Sequence, residues 1–75
     1  MKQWFLIDTL KDGKETVTVL DVKENDNMYT IFRSAWEHLS KEEKERRASF
    51  KAAFCKADEN GKPDLNTSTD TWHVK

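Results

Sequence analysis

One apolar stripe constrains this chain more than any other feature. Met28, Ile31, Phe32, Ala35, Trp36 and Leu39 recur at the spacings that line one face of an α-helix. Tyr29, Arg33 and Glu37 fall on its flanks or outer side. A helix with one apolar face has to bury it. In a chain of 75 residues, which is one domain's worth, the covering surface must come from the same small unit. The preceding Glu24-Asn25-Asp26-Asn27 reads as a loop in which Asn25 or Asp26 caps the first free backbone N–H groups. The spacing therefore predicts a helix over residues 26–39.

The N-terminal segment supplies a surface for that helix. Gln3 to Leu10 is aromatic and aliphatic, and Thr16-Val17-Thr18-Val19 alternates with the period of a half-buried strand. Between them lies Lys11-Asp12-Gly13-Lys14. Asp-Gly is a strong hairpin signal, because both central residues of a tight primed turn take positive φ. A β-hairpin is expected over residues 3–22, with Phe5 and Ile7 on one face beside Val17 and Val19. Trp4 and Leu6 then occupy the other face, which is not evidently polar and needs either a second layer or a partner.

After the helix, Ser40-Lys41-Glu42-Glu43 has the form of a capping box, and a short helical turn is expected over 41–47. Residues 48–57 are ambiguous. As a helix, Phe50, Ala53, Phe54 and Ala57 share a face, and four alanines favour it. As a strand, Phe50, Ala52 and Phe54 share one face, with Lys51, Ala53 and Cys55 on the other. A lone hairpin is marginal in water, so topology favours a third strand over 49–57. Asp58 to Asp64 is a turn cluster, and Leu65 to Thr71 is rich in Ser, Thr, Asn and Asp. Trp72-His73-Val74 reads as a short edge strand or a docked end. The expected fold is one small α+β domain spanning 1–75. It runs hairpin, amphipathic helix, short helical turn and third antiparallel strand (ββαβ), with the helix on one face of a small sheet and 58–75 a turn and loosely ordered tail.

The stretch around Trp36, Leu39, Ser40, Glu43 and Lys44, with Phe50 and the turn Asp58 to Gly61, resembles a group of small uncharacterised proteins. These belong to bacterial Firmicutes and occur around prophages and conjugative elements. The likeness covers about residues 26–64. It implies the same ββαβ arrangement and a setting in a mobile element, and it carries no activity with it.

Composition bears mainly on function. Thirteen Lys and Arg against fourteen Asp and Glu give a net charge of -1, which argues against a generic nucleic-acid binder. One cysteine, Cys55, cannot form an internal disulfide. Only four apolar residues, Trp4 to Ile7, precede the first acid, so no signal peptide is read and no run is long enough to span a membrane. A cytoplasmic protein is expected. His38, Cys55 and His73 fit no zinc spacing, and the Asp58–Asp64 turn lacks the alternating acceptors of a calcium loop. There is no glycine-rich phosphate loop and no nucleophile with an implied base. No catalytic residue, metal or cofactor is expected. The leading expectation is a protein-interaction or accessory module that binds a protein or a second copy of itself through Trp4, Leu6 and Trp72. The alternative is a nucleic-acid-associated module using Arg33, Arg46, Arg47 and Lys51. It requires folding to gather those four cations on one side, because Lys41 to Arg47 carries its own acids.

Overall fold

The computed structural model describes residues 1–75. Strands β1 (Gln3–Leu10) and β2 (Glu15–Leu20) form the expected hairpin, with Phe5 opposite Val19 and Ile7 opposite Val17. Its turn differs from the tight primed form. Gly13 has φ 94°, but no non-glycine residue has positive φ, so Asp12 stays in the ordinary region. The Gly13 N–H donates to the Leu10 carbonyl at 3.0 Å, and the Leu10 N–H donates to the Lys14 carbonyl at 2.8 Å. That is a three-residue loop with one left-handed position, which glycine fills at little steric cost. The Asp12 carboxylate accepts from the Lys14 N–H at 2.9 Å and rigidifies the loop.

Helix α1 (Met28–Glu37) starts later than residue 26. Asn27 is the cap, its side chain accepting from the Thr30 N–H at 3.3 Å. Asp26 instead accepts from the Lys23 N–H at 2.9 Å and folds the preceding loop. Ser40 caps α2 (Lys41–Arg46) by accepting from the Glu43 N–H at 3.2 Å. The Glu43 side chain does not complete the box; it turns to Arg46 and Arg47.

Residues 47–57 are extended. Strand β3 (Arg47–Ala57) pairs antiparallel with β1, with Leu6 opposite Ala52 and Phe5 opposite Ala53. The decision between strand and helix lies in those two alanines. Both are fully buried although adjacent, as happens where a strand is covered on both faces. Sheet contacts outweigh alanine's helix propensity here.

The segment read as a loose tail has a defined course. Asp58 to Lys62 turns at Gly61, which has φ 81°, and the Asp58 side chain accepts from the Asn60 and Lys62 N–H groups. Strand β4 (Pro63–Asp64) then pairs with Lys56–Ala57, and a single 3-10 turn comes next over Leu65–Thr67. Strand β5 (Asp70–His73) lies against Lys51–Phe54. The result is a curled α+β sheet in the order β2-β1-β3-β4, with β5 also on the outer side of β3, and two short helices.

The helix selects the Trp4 and Leu6 face. Met28, Phe32, Phe50 and Ala52 form its buried centre, and Trp4, Leu6, Leu20, Val22, Ile31, Ala35, Trp36, Leu39 and Val74 pack around them. Phe32 stacks on Phe50 at 5.5 Å and 17°, and Trp36 tilts against the same ring at 5.1 Å. The small Ala52 beside Phe50 leaves room for these rings. On the opposite face Phe5, Ile7, Ala53 and Cys55 form a second buried cluster, with Val17 against it. The tail helps to close that side, where Ile7, Val17, Pro63 and Leu65 line one groove. No helix is long and apolar enough to cross a membrane.

Candidate interaction surface

The three residues expected to form a contact surface lie on one sheet face but not in one exposed patch. Trp4 and Leu6 are half-buried components of the helix-side core, so they are mainly structural. They need a second layer, and α1 supplies it. Trp72 belongs to the same face, opposite Ala52, with all of β3 between it and Leu6. It remains 37% exposed. It does not fold back over Trp4; its ring meets Tyr29 at 5.2 Å and 59°.

Two aromatic pairs lie on this face, one of them at the N-terminal end of α1. Tyr29, 47% exposed, leans from the first turn of the helix onto Trp72. Trp4 tilts against Phe54 at 5.2 Å. Phe54 and Trp72 lie on adjacent strands of the same face, diagonal to each other, which joins the two pairs into one strip. Beside Trp4 and Phe54 a cleft of about 390 Å³ opens, lined also by Lys2, Asp21 and Val22. Sequence reasoning put Tyr29 on the flank or outer side of the helix but assigned neither Tyr29 nor Phe54 to a contact surface. Tyr29 sits next to the stripe rather than on it, and Phe54 gains its place only from the β3 register.

The alternative basic surface does not assemble. Arg33 pairs with Glu37 at 3.2 Å and Arg46 with Glu43 at 3.0 Å. Arg47 is largely sequestered, its side chain 11% exposed, between Asp8 and Glu43 at 2.8 Å each. Arg47 Nε and Asp8 Oδ1 are both sealed from solvent and face each other as an ion pair, with no well-aligned hydrogen bond to either atom. Lys51 projects from the opposite face, beside Asp58 and Lys62. Three of the four cations are thus neutralised by neighbouring carboxylates, and the fourth points away. Charge in this region stabilises the α2–β3 corner instead. Hydrogen bonding from Arg47 holds the Glu43 carboxyl below its ordinary value, and Glu43 in turn raises Arg47. Lys44 shares the Glu37 carboxylate with Arg33, at 3.5 Å, and lies over the Trp36 ring at 5.6 Å.

The remaining reactive groups are dispersed. Cys55 is buried in the Phe5 cluster, and desolvation pushes its thiol up, away from the nucleophilic thiolate. His38 Nδ1 lies 2.6 Å from the Ser34 carbonyl, which it meets as a local cap on α1. His73 sits on the outer strand. No three His, Cys, Asp or Glu side chains cluster to hold a metal ion. Comparison with protein-family models, with curated proteins and with solved structures finds no match.

Proposed function

We propose that this chain is a small cytoplasmic interaction module, an accessory that acts by docking another protein rather than by catalysis. The observation that carries the reading is the Tyr29–Trp72 pair, two large rings left about half in water at the margin of the core. Tyrosine and tryptophan offer wide apolar area at low conformational cost and dominate binding hot spots. Here each ring holds the other in place, and the half-buried Trp4–Phe54 pair extends the apolar strip. The matching partner surface presents an aliphatic or aromatic side chain to the strip within a polar rim. The resemblance to proteins of mobile elements makes a component of such an element the proposed setting.

The test is affinity capture from a bacterial lysate, comparing the wild-type chain with Tyr29→Ala, Trp72→Ala and the surface control Lys41→Ala. A specific partner should be retained by wild type and the control, and each aromatic truncation should weaken its measured affinity by about thirtyfold, as expected of a hot spot. Binding should also shift Trp72 emission to the blue as the ring leaves water. Equal retention by all four proteins would remove the strip as the docking surface.

A further inference from the structure

Two loops of the sheet share one form. The Gly13 N–H donates to the Leu10 carbonyl at 3.0 Å, and the Gly61 N–H donates to the Asp58 carbonyl at 3.1 Å. Each loop is closed at its mouth, by Leu10 N–H to the Lys14 carbonyl at 2.8 Å and by Asp58 N–H to the Lys62 carbonyl at 2.7 Å. Each sets an acid or its amide directly before a left-handed glycine and a lysine directly after it, Asp12-Gly13-Lys14 and Asn60-Gly61-Lys62.

The loops differ in what holds the residue before glycine. In the first, the Asp12 side chain accepts from the Lys14 N–H at 2.9 Å. In the second, Asp58 takes the corresponding N–H of Lys62 at 2.9 Å, and the same oxygen accepts from the Asn60 N–H at 2.8 Å. The place that Asp12 fills in its own loop is thus already occupied, and the Asn60 side-chain amide makes no hydrogen bond within the protein. Residues 58–62 are all exposed. Glycine has no Cβ to shield its nitrogen, and no other residue lies within 4 Å of where a Gly61 Cβ would stand.

We infer that Asn60 is a site of spontaneous covalent modification, made so by Asp58, whose hydrogen bonds leave the Asn60 side chain untethered. The Gly61 nitrogen bonds to the Asn60 side-chain carbonyl carbon. Its proton passes through solvent to the departing amide nitrogen, which leaves as ammonia, and a five-membered succinimide closes. One water opens the ring at either carbonyl to give aspartate or isoaspartate, so water is the only co-reactant. The Gly61 N–H bond to Asp58 must open first, but the first loop has the same bond, so it does not distinguish the two. Either product adds a carboxylate beside Asp58 and Glu59, and the iso form adds one carbon to the main chain. The mark falls on the link that seats β4, which is held to β3 by only two residue pairs, Lys56–Asp64 and Ala57–Pro63. This loop borders the groove with Ile7 and Val17, on the face away from the aromatic strip, so modification and docking can be tested apart.

The sister loop supplies the control. Asp12→Asn, at an exposed position, gives two Asn-Gly-Lys sequences in one full-length chain, one tethered and one not. The chain is incubated at mildly alkaline pH, and peptide mapping with electron-transfer fragmentation follows aspartate and isoaspartate at each asparagine. In the folded chain position 60 should react about fivefold faster than position 12, the factor that one hydrogen bond to the tethered side chain supplies. In urea, where both loops are lost, the two rates should converge. In wild type, Asn25, Asn27 and Asn66, none of which precedes glycine, should lag far behind Asn60. Position 12 reacting as fast as position 60 in the folded chain, a gap between them that persists in urea, or an Asn60 no faster than Asn66 would overturn the inference.

Discussion

Replacing Phe50 with alanine removes the ring on which the helix and sheet meet. Phe50 is 3% exposed, stacks on Phe32 at 5.5 Å and touches Trp36 at 5.1 Å. Truncating a buried phenylalanine costs about 3–5 kcal/mol, of which each aromatic pair accounts for roughly 0.5–1.5 kcal/mol. A chain of 75 residues, at roughly 0.05–0.15 kcal/mol per residue, has about 4–11 kcal/mol in all. Phe50→Ala should therefore consume a large part of the stability and lower Tm by at least about 12 °C. Phe50→Leu keeps apolar volume but loses both ring contacts, and should cost about half as much. Phe54→Ala should fall between them, because Phe54 is only half-buried and has the single ring partner Trp4. Urea unfolding followed by far-UV circular dichroism measures all three without relying on the nearby Trp36 as reporter. A Phe50→Ala loss below about 1 kcal/mol would refute the packing argument, since no fully covered aromatic ring goes so cheaply.

Asp8→Ala leaves Arg47 Nε facing no carboxylate in a sealed site, although Glu43 still holds the other end of the guanidinium, and should destabilise by roughly 2–3 kcal/mol, with a double-mutant cycle against Arg47→Met recovering most of it as coupling. Glu43 is held below its ordinary value of 4.5 by Arg47, so its contribution is fully present above that value and is lost as pH falls from there through the lowered folded value; Glu43→Gln should flatten the acid limb of a stability-against-pH curve. The buried Cys55 thiol should react with a disulfide reagent only as fast as the chain unfolds, and complete labelling within minutes in native buffer would contradict its burial. Deleting residues 68–75 bares the outer edge of β3 and removes Val74 from the helix-side core, so the shortened chain should show a lower urea midpoint and concentration-dependent aggregation by light scattering.

Local chemistry made the hairpin, the helical stripe and the Ser40 cap readable, because each depends on residues within a few positions of one another. Three features were not local. The face taken by α1 depends on the pairing of Asp8 with Phe50 and Leu6 with Ala52, across more than forty positions. That register places the large Phe50 on the same face as Trp4 and Leu6, diagonal to Leu6, and the helix follows the larger rings. The primed turn failed because a Gly-containing loop of three residues also fits an Asp-Gly pair, and only hydrogen bonds back to Leu10 distinguish them. The basic candidates are not gathered on one side, in part because Arg47 finds Asp8 on a distant strand, a contact that helical spacing cannot disclose. The aromatic strip was half legible. Trp4 and Trp72 stood out in the sequence and Tyr29 read as a flanking or outer helix position, while the Tyr29–Trp72 contact and the place of Phe54 follow only from strand order.

Strand β5 shows why a polar tail can matter to both stability and recognition. Side-chain burial places it only in part, through Trp72 on Tyr29 and the adjoining Val74 in the helix-side core. Backbone bonds supply the rest: Thr69 N–H donates to the Phe54 carbonyl at 3.0 Å, and Val74 N–H to the Phe50 carbonyl at 3.2 Å. Lys75 adds a bond from Nζ to the Lys44 carbonyl at 3.0 Å, tying the strand's end to α2. These bonds close the β3 edge, which would otherwise invite pairing, and they fix the pleat so that Trp72 faces the helix side. One register shift would turn Trp72 to the opposite face, away from Tyr29. The Ser, Thr and Asp content of the tail is compatible with this role because an edge cap needs N–H and C=O groups in line and polar side chains toward water. The same strand therefore guards the sheet and sets the ring that the proposed partner would meet, leaving β2 as the uncovered edge.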